Sequence, residues 1–336
     1  MDAAASAPKR ARLLALDAFR GATIAGMILV NNPGSWSHVY PPLLHADWHG
    51  WTPTDLVFPF FLWIVGVAIT LSLGRRVEDG APRGPIVKKI VVRALVLIGL
   101  GLLLNALSGV LPALVGVGER SVGEAFASMR FPGVLQRIGL CYALTATAFL
   151  FLPRRVLPWL CAALLLGYWA LMTWVQVPAL DGSGALVADL DTEGDHLAGW
   201  LDRTVLGEGH IWRSAKVYDP EGVLSTLPAV GTCLCGLFAG RIVRSEAPLE
   251  RRILQLFVAG AVLIVLGYCW DWFLPINKKI WTSSYVLFTA GQASCALALC
   301  LWACDLKGWK LWAAPLRASS WNRCSGVGTT RAPVGS

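Results

Sequence analysis

Three of the five histidines, His38, His45 and His49, fall in one short stretch, 31–54, which reads NNPGSWSHVYPPLLHADWHGWTPT. Imidazole is the side chain best suited to take or release a proton near neutral pH. The other two, His196 and His210, lie in a second long polar segment, 178–223. The first stretch is dense in Trp and Pro and poor in flexible filler, so it is expected to be ordered. It carries Asp47, Trp48, His49 and Trp51 just after His45. Asp55 follows in Thr52-Pro53-Thr54-Asp55, a capping-box variant with Pro at the first helical position. Two readings stay open for Asp55: a helix cap only, or a cap that also orients a nearby histidine.

A second group is Asp17, Arg20 and Asn31, set in an otherwise apolar run. On a helix of 100° per residue, Arg20 and Asn31 lie about 20° apart and Asp17 about 60° from Arg20. All three share one face, with Arg20 and Asn31 about 16 Å apart along the axis. That suits an elongated ligand with a charged head at one end and a reactive tip at the other. An Asp17–Arg20 pair that only anchors the helix is the plainer reading. Arg137 opens another apolar run. It can snorkel, pair with an acidic group, or meet a ligand phosphate. Segment 178–223 has a net charge of −6. It reads as a solvated acidic loop, or as a lid whose field attracts a cationic amine. Cys233 and Cys235 face different sides of a helix, so no metal site is expected there. No G-x-x-x-x-G-K-S/T, G-x-S-x-G or H-E-x-x-H pattern occurs, and no internal repeat.

The elements that must position these residues follow from composition. The chain has 336 residues, 55% hydrophobic and 15% charged, with mean hydropathy +0.57. Soluble domains average about 25% charged residues. Disorder, a nucleic-acid-binding tail and a small disulfide scaffold are unlike this composition. Eight apolar runs are long enough to cross a bilayer: 13–31, 55–73, 90–110, 134–152, 156–177, 224–243, 253–273 and 282–303. With the N-terminus cytoplasmic, inner segments carry seventeen Lys and Arg and outer segments seven. This alternation explains the net charge of +8 without nucleic acid. All five His then fall outside, in or beside loops 32–54 and 178–223. Trp51, Trp159, Trp174, Trp270, Trp272, Trp281 and Trp302 mark span ends, as an interfacial belt does. Gly236 and Gly240 form a GxxxG, a sign of close helix packing. The predicted class is all-α, a polytopic transmembrane bundle of about eight spans in contact with membrane lipids.

Several segments, taken together and in order, resemble the heparan-α-glucosaminide N-acetyltransferase family. They are Leu16-Asp17-Ala18-Phe19-Arg20-Gly21, Val30-Asn31-Asn32-Pro33-Gly34, Leu44-His45-Ala46-Asp47-Trp48-His49-Gly50-Trp51-Thr52 and Asp55-Leu56-Val57-Phe58-Pro59. Further on come Pro132-Gly133-Val134-Leu135-Gln136-Arg137-Ile138-Gly139, Tyr218-Asp219-Pro220-Glu221-Gly222, and Ile276-Asn277-Lys278-Lys279 with Trp281-Thr282-Ser283-Ser284-Tyr285. The sequence is most similar to the shorter bacterial members. The resemblance implies a multi-pass enzyme of the bacterial inner membrane. It would carry acetyl from cytosolic acetyl-CoA to the amine of a glucosamine-type acceptor on the periplasmic side, and a homodimer is implied.

The family's active-site His matches His45, as base or transient acetyl acceptor, and its Asn matches Asn31, as oxyanion donor. Asp55 would hold the His45 tautomer. Arg20, Asp17 and Arg137 are expected on the acetyl-CoA side, and Asp47, Trp48, His49 and Trp51 on the sugar side. The alternatives are a permease for N-acetylglucosamine or chito-oligosaccharides, and an O-acyltransferase acting on a cell-envelope polysaccharide. The likeness runs to about residue 312. The polar stretch 313–336 reads as a disordered or frameshifted tail, leaving the family's last helices missing.

Overall fold

In the computed structural model, residues 13–117 and 121–318 are described. Lys9, Arg10, Arg12 and Arg120 of the charge bias, and tail residues 319–336 with Cys324, lie outside them. The helices are α1 (Leu14–Asn31), α2 (Val57–Glu78), α3 (Arg83–Gly109), α4 (Leu111–Leu114), α5 (Val122–Ala127) and α6 (Val134–Phe151). They continue as α7 (Leu157–Trp174), α8 (Leu197–Leu206), α9 (Thr226–Arg244), α10 (Leu249–Asp271), α11 (Ser283–Cys300) and α12 (Ala313–Ala318). A two-stranded antiparallel hairpin, β1 (Val177–Pro178) with β2 (Leu186–Val187), sits in the long loop. Among the described residues, eight helices are long and apolar enough to cross a membrane: α1, α2, α3, α6, α7, α9, α10 and α11. The fold is an all-α polytopic bundle.

Helices α2 and α3 outrun the hydropathy reading furthest. The backbone of α2 continues to Glu78, and α3 begins at Arg83. Lys and Arg are good helix formers, so the helix persists after the apolar run stops. Arg75 and Arg76 lie in the last turn of α2, where a cation meets the negative end of the helix dipole.

Helices α9 and α11 form the centre of the bundle, whereas α3 and α10 turn most of their surface outward. The outward face of α3 carries Leu95, Leu100, Leu103 and Leu104, suited to acyl chains rather than water. Close approach is made by small residues. Gly66 of α2 lies on the Cys233 backbone and Gly236 of α9 on the Trp63 backbone, so any Cβ there would collide. Gly240 packs on Thr70 in the same seam, which accounts for the GxxxG. Trp159, Trp174 and Trp272 are exposed near helix ends, as the interfacial belt requires. Within the stretch read as tail, Ala313–Ala318 form α12, and its Leu316 backbone closes over Gly21 of α1.

Candidate active site

The segments assigned to the outer side converge at one end of the bundle. Thr52 caps a short 3-10 turn, Pro53–Leu56, that leads into α2. The Asp55 carboxylate folds back over this turn. Its Oδ2 accepts from the backbone N–H groups of Ala46 and Thr52, each at 3.0 Å, and the Thr52 hydroxyl lies 3.1 Å away. Its Oδ1 lies 2.6 Å from His45 Nδ1. The same side chain therefore caps the helix and holds the imidazole. An ionised carboxylate only accepts, so Nδ1 carries the proton and the Nε2 lone pair is left for chemistry. Asp55 is 1% exposed and His45 52%. A buried orienting group thus backs an accessible ring.

A third group, not singled out in the sequence, completes the arrangement. Lys278 Nζ lies 2.9 Å from His45 Nδ1, 3.3 Å from Nε2 and 3.4 Å from Asp55 Oδ1. Burial lowers the ammonium pKa from the usual lysine value, against the opposing pull of Asp55 and Glu221. The turn between α10 and α11 fixes its position. Asn277 N–H donates to Thr282 Oγ1 at 3.0 Å, and Ile280 N–H to Asn277 Oδ1 at 3.2 Å. Trp281 is held at φ 52°, a left-handed conformation unusual for a bulky residue. It is kept there by burial against Phe58 and Tyr285 and by its Nε1–H donating to Thr232 Oγ1 at 3.2 Å. The first loop is tied to this turn where Gly50, at φ +89°, donates its N–H to Ile276 O at 2.7 Å.

His45, Asp55 and Lys278 line a cavity of about 360 Å³. Asn31, His45, Trp48, Asp55, Arg130, Glu221, Lys278 and Lys279 all contribute to its wall, above Phe58 and Phe61 of α2. Asn31 and His45 are thus brought to one space from different elements. Asn31 Nδ2 donates one hydrogen to Met27 O at 3.0 Å, and an amide nitrogen carries a second. Trp48 Nε1–H donates to Leu190 O at 2.7 Å, which ties the first loop to the long one. The ring also lies 5.6 Å from Lys279 Nζ.

The remaining predicted residues lie off the cavity wall. His49 Nε2 pairs with Asp191 at 2.9 Å, Trp51 packs on Phe288 at 4.8 Å, and Asp47 is exposed. Asp17 and Arg20 sit at the far end of α1, with Asp17 buried. Arg137 is buried. One of its nitrogens, Nη2, donates to Gly222 O at 3.0 Å and to the Ser225 hydroxyl, and its guanidinium lies 5.3 Å from the Trp281 ring. Carbonyl, hydroxyl and aromatic face meet this arginine; no carboxylate bridges it among the described residues.

The long loop uses many of its acids as fastenings. Arg130 grips Asp219 through two nitrogens, at 2.8 and 2.5 Å, and also holds Glu221. Glu193 pairs with Lys279 at 3.1 Å. Asp202 accepts from the N–H groups of Asp219 and Val223, and burial pushes its pKa up to about 6. His196 caps α8 by accepting from Gly199 N–H at 3.0 Å, and burial lowers its pKa to about 4. His210 donates to Met129 O and stacks on Phe131. His38 bonds the Ser37 hydroxyl. Of the five histidines, His45 alone faces the cavity. Among the described residues, no group of three or more His, Cys, Asp or Glu side chains is arranged to hold a metal ion.

Comparison with known proteins bears on this geometry. The sequence model of the family described as heparan-alpha-glucosaminide N-acetyltransferase, catalytic, matches residues 12–193, over half of the chain. The chain belongs to that family. The matched region contains Asn31, His45 and Asp55, and excludes Lys278. The mouse heparan-alpha-glucosaminide N-acetyltransferase is 30% identical over 347 residues, covering 90% of this chain and 50% of the relative. The human protein of that name is 28% identical over 344 residues, with the same coverage. The chain spans about half the length of these curated relatives.

Proposed function

We propose that this family member is a transmembrane acetyltransferase that moves acetyl from cytosolic acetyl-CoA to the amine of a glucosamine-type sugar on the periplasmic side of a bacterial inner membrane. The observation that carries this reading is the His45–Asp55 pair facing the same cavity as Asn31. The names of the two relatives support the class of donor group and acceptor.

In the reaction, the acceptor nitrogen attacks the thioester carbonyl carbon. A C–N bond forms, the C–S bond breaks and CoA leaves as the thiolate. His45 Nε2 takes the proton released by the nitrogen, while Asp55 holds the Nδ1 proton and keeps the ring in register. In the two-step form, Nε2 itself attacks the thioester, and the acetyl-imidazole then passes its acetyl to the amine. In both forms negative charge grows on the carbonyl oxygen, and the second N–H of Asn31 is the donor for it. Trp48 offers an indole face to the sugar ring; Asp47, His49 and Trp51 support the loop that carries it.

For access from the cytosol, two further hollows lie between α2, α3 and α6. They have volumes of about 410 and 580 Å³ and share Ser72, Val92, Arg93 and Tyr142. The hollow nearer the His45 cavity has an apolar wall of Val65, Ile69, Val96, Leu97 and Ile138. The other holds Arg76, Lys88, Lys89 and Arg93. An apolar hollow adjoining a cationic one suits the pantetheine arm and the phosphates of CoA. Arg20, with Asp17, belongs to that end of the bundle. Arg137, closed in behind Trp281, acts at the other end by fixing the start of α9.

The test is to reconstitute the protein, supply labelled acetyl-CoA on one side and glucosamine on the other, and follow both products. N-acetylglucosamine should appear with one free CoA per acetyl transferred. Movement of sugar with acetyl-CoA untouched would replace this reading by the permease.

A further inference from the structure

We propose that Lys278 is a modification site of the protein itself: its Nζ stands in the place of the acceptor amine and is acetylated from acetyl-CoA when no sugar competes for that place. This rests on the acetyl-transfer reading and adds to it a reaction in which the chain is its own acceptor. Nζ lies along the edge of the His45 ring, 2.9 Å from Nδ1 and 3.3 Å from Nε2. Nδ1 gives its proton to Asp55 Oδ1 at 2.6 Å, so the exchange of a proton with Nζ falls to Nε2. The lone pair assigned to take a proton from the acceptor nitrogen is therefore met by a primary amine of this chain. Such contacts tighten further in a reacting complex. A hexosamine and Lys278 present the same functional group, and the two compete for one place.

The cavity holds an internal control. Lys278 and Lys279 both line it, are adjacent in sequence and have nearly equal side-chain exposure, 19% and 23%. Lys279 is turned to the long loop, with Nζ 3.1 Å from Glu193 Oε1 and 5.6 Å from the centre of the Trp48 ring. Uncatalysed acetylation of lysine follows exposure and would not separate the two. Transfer that uses His45 as base would separate them, because contact with the imidazole is what differs. Asp55 Oδ1, 3.4 Å from Lys278 Nζ, favours the ammonium, but burial outweighs it and lowers the pKa from the usual lysine value. The ammonium first releases one proton to solvent. The neutral Nζ then attacks the thioester carbonyl carbon. A C–N bond forms, the C–S bond breaks, and Nε2 takes a second proton from the nitrogen and passes it to the departing thiolate. The product is an acetamide without charge or free amine. It fills the acceptor's place and leaves Asp55 without its cation, so the site closes when donor is plentiful and acceptor scarce.

The experiment incubates the reconstituted full chain with isotope-labelled acetyl-CoA and no sugar, then reads the acetyl carried by each lysine by mass spectrometry of its peptide. Lys278 should carry at least about tenfold more label than Lys279. Saturating glucosamine, added together with the donor, should suppress the Lys278 label. After removal of the donor, the turnover that remains should fall in proportion to the labelled fraction. His45→Ala and His45→Gln should lose the Lys278 label. Equal labelling of the two lysines would overturn the inference, as would a Lys278 label that glucosamine leaves unchanged or that persists in whichever His45 variant purifies folded. The two readings fail separately. N-acetylglucosamine formed by a protein whose Lys278 stays unlabelled overturns the modification alone. Lys278 labelled through His45 while no amino sugar is acetylated or protects it overturns the sugar as acceptor, and with it the shared place. Acetyl on neither overturns both.

Discussion

Replacing Asp55 by Asn tests whether the carboxylate sets the state of His45 or only caps a helix. The exchange keeps size and shape, so its effect depends on where the new amide nitrogen goes. Two backbone N–H groups, of Ala46 and Thr52, point at the Oδ2 position from 3.0 Å. An NH2 group placed there would face two donors and strand both, at about 1–3 kcal/mol each. The Asn oxygen must therefore take that position, which puts the NH2 group against His45 Nδ1, now 2.6 Å from a carboxylate oxygen. Nδ1 then accepts instead of donating. The proton moves to Nε2, and the lone pair that faces the cavity is lost. In enzymes where the same exchange inverts a catalytic histidine, turnover falls by about 10⁴. We expect a loss of about 10³–10⁴ in kcat for D55N, with KM for acetyl-CoA little changed. Stability should fall by about 2–4 kcal/mol, because Lys278 loses the charge that pairs with it. The assay is acetyl transfer to glucosamine by reconstituted protein, beside a thermal melt that confirms folding. A folded D55N with kcat within tenfold of wild type would refute the tautomer argument and leave Asp55 a cap.

Other expectations follow from the same geometry. His45→Ala should abolish acetyl transfer while membrane insertion and melting stay normal; normal activity in proteoliposomes would remove His45 from the mechanism. Asn31→Ala should lower kcat by about 10², near 3 kcal/mol, with acetyl-CoA binding retained. An unchanged rate with weaker binding would assign Asn31 to the donor instead. Arg130→Met should cost about 3–5 kcal/mol in a melt, since it strands Asp219, whose side chain is 0% exposed; a loss under 1 kcal/mol would mean that the loop is held elsewhere. His196 has its pKa lowered to about 4, so its stabilisation is full above the unfolded value near 6.5 and is lost as pH falls through 4. His196→Asn, which keeps an N-cap acceptor, should therefore lose less stability than wild type on acidification from about pH 7 to 4, by up to about 3 kcal/mol. Parallel melting curves for the two proteins would show that burial of His196 does not control the acid response.

How far the site was legible follows from sequence separation. Asp55 and His45 are ten residues apart, and the capping box that sets Asp55 is written in four consecutive residues. Local rules reach that far, though they leave open whether the carboxylate does one task or two. The eight spans were equally legible, because hydropathy needs only a window; it failed at Glu78 and Arg83, where helix continues in charged sequence. The wheel that put Arg20 and Asn31 on one face of α1 describes a single helix. It carries no information on what lies opposite, and only Asn31 faces the cavity. Arg137 illustrates the same limit. Its depth in a span suggested snorkelling, a carboxylate or a phosphate; its setting of Gly222, Ser225 and Trp281 is assembled from two other segments, which the span alone does not show.

The acidic loop was read as a solvated face or as a field, and the structure turns much of that charge into joints. Glu193 with Lys279, Asp191 with His49, and Asp219 and Glu221 with Arg130 each join the long loop to another segment at the same end of the bundle. Charge counting along a sequence cannot distinguish an acid that faces solvent from one already paired, since the partners lie up to 142 residues away. The distinction changes the chemistry expected of the acceptor. Around the cavity, Arg130, Lys278 and Lys279 stand against Asp55 and Glu221, so the wall itself is not a sink for cations. Recognition of an amino sugar must then depend on the Nε2 lone pair and on ring stacking more than on long-range attraction. Raising the salt concentration should accordingly change KM for glucosamine by less than about threefold. A steep rise in KM with salt would restore the loop as an electrostatic funnel.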